Sequence, residues 1–284
     1  MRDLNEDNLT QAVLERISSE TDPRLREVLT SLIRHLHAFI REVELTEDEW
    51  MAGIQFLTAT GHKCDEERQE FILLSDTLGA TTLKDLLNHR QSAGITEYTI
   101  LGPFFRQGAP ERGPGESIAA GLPGEPIRVI GRVTASDGEP IADALVDIWQ
   151  ASAEGLYDVQ DPALPAGALR GRFRTAPDGS YGFVTIKPSS YPIPYDGPVG
   201  TMLRATGRHP YRPAHIHFMI AADGFVPVTT ELFVEGDPYL DSDAVFGVRE
   251  SLVVLFPHSE GESIAGSSSP PAEVRHDFVL ERTG

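Results

Sequence analysis

The hydrophobic positions divide the chain into two regimes. From Pro23 onward, Leu25, Val28, Leu29, Leu32, Ile33, Leu36, Phe39, Ile40 and Val43 recur at spacings of three and four with Arg and Glu between them, the period of one amphipathic helix. Thr46 followed by Glu49 is a capping-box pattern ahead of Trp50, Ile54 and Leu57, and a third helical pattern runs from Glu66 through Phe71, Leu74 and Leu78. From about Gly121 the period drops to two, in the runs IRVIGRV (127–133), ALVDIW (144–149), GRFRT (171–175), YGFVTI (181–186), AHIHFMI (214–220), VTTELFV (228–234), SLVVLF (251–256) and HDFVL (276–280). Asp-Gly turn signals at 137–138, 178–179 and 223–224 separate several of them. The expected class is mainly β with an N-terminal α-helical domain: residues 1–100 helical, 101–284 an antiparallel β-sandwich. The Gly/Pro-rich segment 102–126 connects the two, and Gly261 to Pro271 reads as a surface loop.

Composition narrows the function. With 24 Lys+Arg against 43 Asp+Glu, the net charge of −19 argues against binding a phosphate backbone, so nucleic acid is not an expected partner. No basic-then-apolar leader and no 18-residue apolar span occurs, so the expectation is a cytoplasmic protein with no membrane span. One cysteine, Cys64, excludes an internal disulfide and any multi-thiolate metal site, so a metal here must be held by N and O ligands. The wide apolar stripe of the 23–43 helix suggests a second subunit, hence a homodimer.

The stretch RPAHIHFMI (212–220) puts His215 and His217 two residues apart on a predicted strand, hence on one face and about 6 to 7 Å apart along it. Ile216, Phe218 and Ile220 then fill the opposite, apolar face. By itself the pair fits a buried structural pair equally well. A cupin would need an acid just after it, and Phe218 to Ala222 has none. A facial triad with Fe(II) would draw on Glu231, Asp223 or Asp196. Tyr157, just after the ALVDIWQ strand, and Tyr191, in SSYPIPYDGP where Pro192 and Pro194 stiffen the chain, offer another set. Two phenolates with two imidazoles make a hard, anionic donor set suited to Fe(III). Asp237, Asp241 and Asp243 lack the spacing of a calcium loop and read as caps of the segment that follows.

The stretches DIWQASAEGLYDV and LRGRFRTAPDGSYGFVTIKPSSYPIPYDGPVGTMLRATGRHPYRPAHIHFMI, with the helices before them, resemble the intradiol ring-cleaving catechol dioxygenases over nearly the whole chain. That resemblance implies one Fe(3+) per subunit held by Tyr157, Tyr191, His215 and His217. Tyr191 would be the ligand that leaves when substrate binds, Tyr157 one that stays, and Arg212 the cation beside the substrate ring. It implies an aromatic diol or triol and O2 as substrates, and a homodimer through the N-terminal helices with phospholipid at its interface. FILLSDTLG (71–79), ILGPFFRQGAP (100–110) and GDPYLDSDAVFGVRESLV (236–253) look most like the hydroxyquinol-cleaving branch. By that likeness the pocket is lined by Leu73, Asp76, Ile100, Leu101, Gly102, Pro103, Phe104, Ile193, Pro194, Arg212 and Val245, with Asp76 able to bond a third ring hydroxyl. Where catechol enzymes usually carry glutamine, this chain has Glu231, able to pair with Arg212. The competing readings are a catechol or chlorocatechol enzyme, and a metal-free transthyretin-like binding module.

Overall fold

The computed structural model describes residues 3–66, 68–90, 93–257 and 271–283; the expected loop from Gly261, Pro271 aside, lies outside them. The chain forms two compact units, Met1–Ala59 and Thr60–Gly284.

The first unit holds α1 (Leu9–Leu14), α2 (Pro23–Val43) and most of α3 (Glu47–His62). Helix α2 starts where Asp22 accepts a hydrogen bond from the Leu25 amide at 2.9 Å, with Pro23 in the first turn. At the head of α3, Thr46 N donates to Glu49 Oε2 at 2.9 Å and Glu49 N to Thr46 Oγ1 at 3.4 Å, the reciprocal cap its sequence predicted. The apolar stripe of α2 stays uncovered: Leu32 is 58% and Phe39 51% exposed, and the helix has no buried residue. Among the described residues, no helix is long and apolar enough to cross a membrane.

The second unit opens with α4 (Glu70–Thr77) and α5 (Ala80–Asn88). Strands β1 (Pro126–Ala135), β2 (Leu145–Trp149), β3 (Arg170–Arg174) and β4 (Ser180–Ile186) follow, then β5 (Tyr191–Pro192), helix α6 (Pro198–Ala205), β6 (Tyr211–Arg212), β7 (His215–Ala221), β8 (Val228–Val234), β9 (Val253–Val254), β10 (Ala272–Arg275) and β11 (Phe278–Leu280). In one sheet β1 pairs antiparallel with β4 and, on its other edge, parallel with β10 and then β11. The other sheet runs β3-β2-β7-β8-β9, with β8 and β9 parallel.

The sheets are therefore mixed rather than wholly antiparallel. Alternation of apolar and polar residues tells which face of a strand is buried; it carries no information on the direction of the neighbour. For the same reason 251–256 is not one strand: Glu250–Leu252 forms a single 3-10 turn before the two-residue β9. Helices α1, α5 and α6 and strands β5, β6 and β10 are additions to the predicted elements, each too short for a periodic signal.

The faces follow the predicted alternation. Val129, Val133 and Phe183 of the first sheet join Val146, Ile148, Ile216, Phe218, Ile220 and Leu232 of the second in one core. The other face of β2 and β7 carries Asp147, Trp149, His215 and His217, all buried too. Asp147 is held up at about pH 6, first by burial, against the pull of Arg172 and Arg170. Folding then takes up a proton between the ordinary carboxylate range near 4 and about 6, so this group weakens the fold as pH rises through that window. Asp147→Asn is expected to raise stability by roughly 1 kcal/mol at pH 7.5 and by little at pH 3.5, read from urea midpoints at the two pH values.

Candidate metal centre

The site is built on β7. His215 pairs with Phe233 and His217 with Glu231 across to β8, while Trp149 of β2 pairs with His217 on the other side. The Trp149 indole stacks on the His217 ring at 4.8 Å with 7° between planes, which fixes its tilt. His215 Nδ1 donates to the Pro213 carbonyl at 2.7 Å, so its Nε2 carries the lone pair, and that atom lies 3.1 Å from His217 Nε2. Both imidazoles are neutral: burial, then the charge of Arg212, pulls His215 down to about 4, and burial, then His215, pulls His217 well below its ordinary range.

Two tyrosines meet beside this pair. Tyr157 N donates to Gln160 Oε1 at 3.1 Å, and the next residue, Asp158, accepts from Arg170 Nε at 2.8 Å and Nη2 at 2.6 Å, pinning the excursion after β2. Phe104 stacks on the Tyr157 ring at 4.5 Å. Tyr191 arrives from the other side through the two-residue ribbon β5–β6, which sets it directly opposite Arg212. The hydroxyls Tyr157 Oη and Tyr191 Oη lie 3.2 Å apart, both rings buried. Burial drives both phenols above their ordinary range, Tyr157 most, while Arg212 draws Tyr191 part of the way back.

Arg212 is buried and paired twice. Its Nη1 donates to Glu231 Oε1 at 2.7 Å and its Nη2 to Glu231 Oε2 at 3.3 Å; on the other side Nε and Nη2 donate to Asp243 Oδ1 and Oδ2, both at 3.1 Å. The Glu231 pairing is the one its sequence position suggested. Asp243 does cap the residues that follow it, accepting from the Val245 and Gly247 amides, and the same carboxylate also binds Arg212. No local pattern marks that role, since the partners lie 31 residues apart.

Of the carboxylates first considered beside the histidines, Asp196 is tied to Lys63 and Arg68 at the surface, and Asp223 is an exposed turn residue. Glu231 does lie 3.4 Å from His215 Nε2 and 3.3 Å from His217 Nδ1. Both of its oxygens are engaged by the guanidinium, however, and the contact to His217 is to Nδ1 rather than to the Nε2 that faces His215. The phenol hydroxyls are bonded to each other and not to a buried carboxylate, so the tyrosines and histidines suit a hard cation better than the His–His–Glu cluster does. Two phenols and two neutral imidazoles with converging lone pairs fit an ion that brings its own positive charge and ionises them.

A cavity of about 570 Å³ lies among Leu73, Pro103, Phe104, Ile193 and Pro194, all expected lining residues, joined by Arg68, Gln69, Val159, Gln160, Pro192, Tyr195 and Asp196. Ile100 and Val245 pack with Leu73 and Ile193 in one apolar cluster. Asp76, one turn after Leu73 on α4, is 2% exposed, and its Oδ1 has no hydrogen-bond partner among the described residues. Burial raises its pKa, against the pull of Thr81 and Arg212. A Cβ on Gly102 would sit 3.4 Å from His217 Cε1, so this loop closes directly over the imidazole. Leu101 is 42% exposed and not among the residues lining the cavity.

Residues 100–282 match the family described as Dioxygenase, and residues 22–96 match Catechol dioxygenase N terminus. The chain belongs to the intradiol dioxygenase family. Within it, this intradiol dioxygenase groups with the hydroxyquinol enzymes. It is 53% identical to a 6-chlorohydroxyquinol 1,2-dioxygenase of Cupriavidus pinatubonensis, over 89% of this chain and 92% of that one. It is 47% identical to a hydroxyquinol 1,2-dioxygenase of a Rhizobium species, over 98% and 96%. Among solved structures, hydroxyquinol 1,2-dioxygenase from Pseudomonas putida DLL-E4 superposes with a TM-score of 0.90 at 49% identity, over 98% of this chain and 99% of that one. The mixed sheets and helices described above are thus the fold of this family. In this intradiol dioxygenase Arg68, Gln69, Val159 and Gln160 join the cavity with no sequence pattern to mark them; Tyr195 and Asp196 stand in the same Pro-rich stretch as Tyr191, and Asp243 was legible only as a cap.

Proposed function

We propose that this chain cleaves hydroxyquinol (benzene-1,2,4-triol) between its two adjacent hydroxyl-bearing carbons with O2. The product is 3-hydroxy-cis,cis-muconate, the tautomer of maleylacetate, and it carries both oxygen atoms. The observation that carries the reading is the meeting of two buried phenols and two neutral imidazoles beside a buried guanidinium. One Fe(3+) per chain, held by Tyr157, Tyr191, His215 and His217, would supply the Lewis acidity that ionises the substrate hydroxyls and lets a ring carbon react with O2.

The residues divide the remaining work. Tyr191, set opposite Arg212 on the β5–β6 ribbon, would be the phenol that gives way to substrate and takes a proton from a ring hydroxyl; Tyr157, stacked under Phe104, would stay. Arg212 offers positive charge where the substrate ring becomes electron-rich. Leu73, Ile100, Gly102, Pro103, Phe104, Ile193, Pro194 and Val245 form an apolar wall that orients the ring and keeps water out. Asp76, buried on α4 with an unpartnered oxygen, is the acceptor for the third hydroxyl. The exposed stripe of α2 supports a homodimer through the helical segment 1–100, with room for a phospholipid chain on the same apolar face, and the segment 101–284 carries the iron. The enzyme would work in the cytoplasm.

A visible spectrum tests the metal site. Iron-loaded protein should show a tyrosinate-to-iron band, shifted by anaerobic hydroxyquinol, and an oxygen electrode should record uptake on adding substrate. Protein that is iron-replete and colourless overturns the reading. Asp76→Ala should lower kcat/KM for hydroxyquinol about 10- to 100-fold while changing catechol turnover little, the rate equivalent of one hydrogen bond to a charged group. Equal losses on the two substrates would remove Asp76 from substrate choice.

A further inference from the structure

The guanidinium of Arg212 has five N–H groups, and the structure accounts for all of them. Nε donates to Asp243 Oδ1; Nη2 is shared between Asp243 Oδ2 and Glu231 Oε2; Nη1 donates to Glu231 Oε1 and, at 3.1 Å, faces His215 Nε2. Four of the five are thus taken by two carboxylates gripping the group from opposite sides. Only the fifth, on Nη1, points at an atom that a metal would claim. If His215 Nε2 is given to an ion, that Nη1–H is the one donor free to meet a substrate oxygen.

Asp243 does more than balance charge. Its Oδ2 accepts from the Gly247 amide at 2.9 Å and its Oδ1 from the Val245 amide at 3.3 Å. One carboxylate therefore joins the guanidinium to the turn that carries Val245, which packs with Leu73, Ile100 and Ile193. The fit around it is close: a Cβ on Gly247 would lie 2.7 Å from Arg212 Nη2 and 3.1 Å from both Asp243 Oδ2 and Glu231 Oε2. Arg208 braces the same turn, donating to the Ala244 carbonyl at 3.0 Å and to the Thr77 carbonyl of α4 at 2.7 Å. The turn also returns to β6, where Ala244 N donates to Tyr211 O at 3.1 Å.

We infer that Asp243 is a positioning residue for ring cleavage: gripping Nε and Nη2 of Arg212 from the Val245 turn, it keeps Nη1 aimed at the histidine side of the site. Glu231 alone holds Nη1 and Nη2 and leaves the Nε edge unheld; the second bidentate contact, through Nε and Nη2 to Asp243, closes that edge and fixes the plane of the group. The consequence is an effect on turnover rather than on binding, because the ring is held by the apolar wall and Arg212 acts as charge develops. This inference rests on the proposed cleavage of hydroxyquinol.

Its test uses two variants and two readouts. Asp243→Asn sets an amide N–H against the Arg212 or Gly247 donors; Gly247→Ala leaves Asp243 intact and displaces Nη2. In the iron-loaded, full-length enzyme each should lower kcat on hydroxyquinol about 10- to 100-fold with KM within threefold. Asp243→Glu should recover part of that loss. In the metal-free, full-length chain, the Arg212 Nε–H resonance, assigned by its loss in Arg212→Lys, should be slowly exchanging in the wild type and fast in Asp243→Asn. A variant with unchanged kcat and raised KM, or a slow Nε–H retained in Asp243→Asn, overturns the inference. If the wild type fails to cleave hydroxyquinol, the functional reading falls, and the exchange of Nε–H still decides whether Asp243 holds Arg212.

Discussion

Tyr157→Phe is expected to lose the visible band and to cut oxygen uptake with hydroxyquinol by roughly a thousandfold or more, the rate equivalent of the several kcal/mol that a bound cation contributes. The substitution removes one oxygen and leaves the ring where it is, stacked on Phe104 at 4.5 Å and edge-on to Tyr191. Among the described residues the lost hydroxyl is hydrogen-bonded to the Tyr191 hydroxyl, at 3.2 Å. The metal-free variant should therefore melt within about 1 kcal/mol of the wild type. The difference should emerge on adding ferric iron: the wild type gains stability from binding, and the variant gains little. Melting with and without iron, alongside iron content and oxygen-electrode rates, separates loss of a ligand from loss of the fold. A variant that keeps the band and full iron content would remove Tyr157 from the ligand set.

Arg212→Met should be the most destabilising change at the site, by about 3 to 5 kcal/mol at neutral pH, because it strands two buried carboxylates. Glu231 shows the balance: burial pushes its carboxyl up, and the charge and hydrogen bonds of Arg212 outweigh that and hold it below its ordinary range. A carboxyl held down in the folded state contributes stability that is present above its unfolded pKa and lost as pH falls through its folded one. Without Arg212 the same carboxyl is left with burial, takes up a proton on folding, and loses its penalty in acid. The gap between wild type and Arg212→Met should thus shrink as pH falls from about 7 to about 4. Combining Arg212→Met with Glu231→Gln and Asp243→Asn should recover much of the stability and none of the turnover. Urea midpoints across pH for the single and triple variants check both statements. A single variant as stable as the wild type at pH 7 would mean the two carboxylates are not held by Arg212.

The alternation in AHIHFMI was enough to put Ile216, Phe218 and Ile220 in the core and both histidines on the other face, because side-chain direction along a strand follows from backbone geometry alone. The caps at Asp22 and at Thr46 with Glu49 were legible for a similar reason: each joins groups three residues apart. The donor types were legible as well, since one cysteine leaves only N and O ligands. Tertiary structure decided the rest. The parallel pairing of β1 with β10 and β11, the setting of Tyr191 opposite Arg212 through a ribbon of two residue pairs, and the grip of Asp243 on Arg212 across 31 positions all depend on chain paths between distant segments. Hydrophobic period and local propensity describe the surroundings of one element at a time. The encounter of two buried charges is selected only when the whole core closes around them.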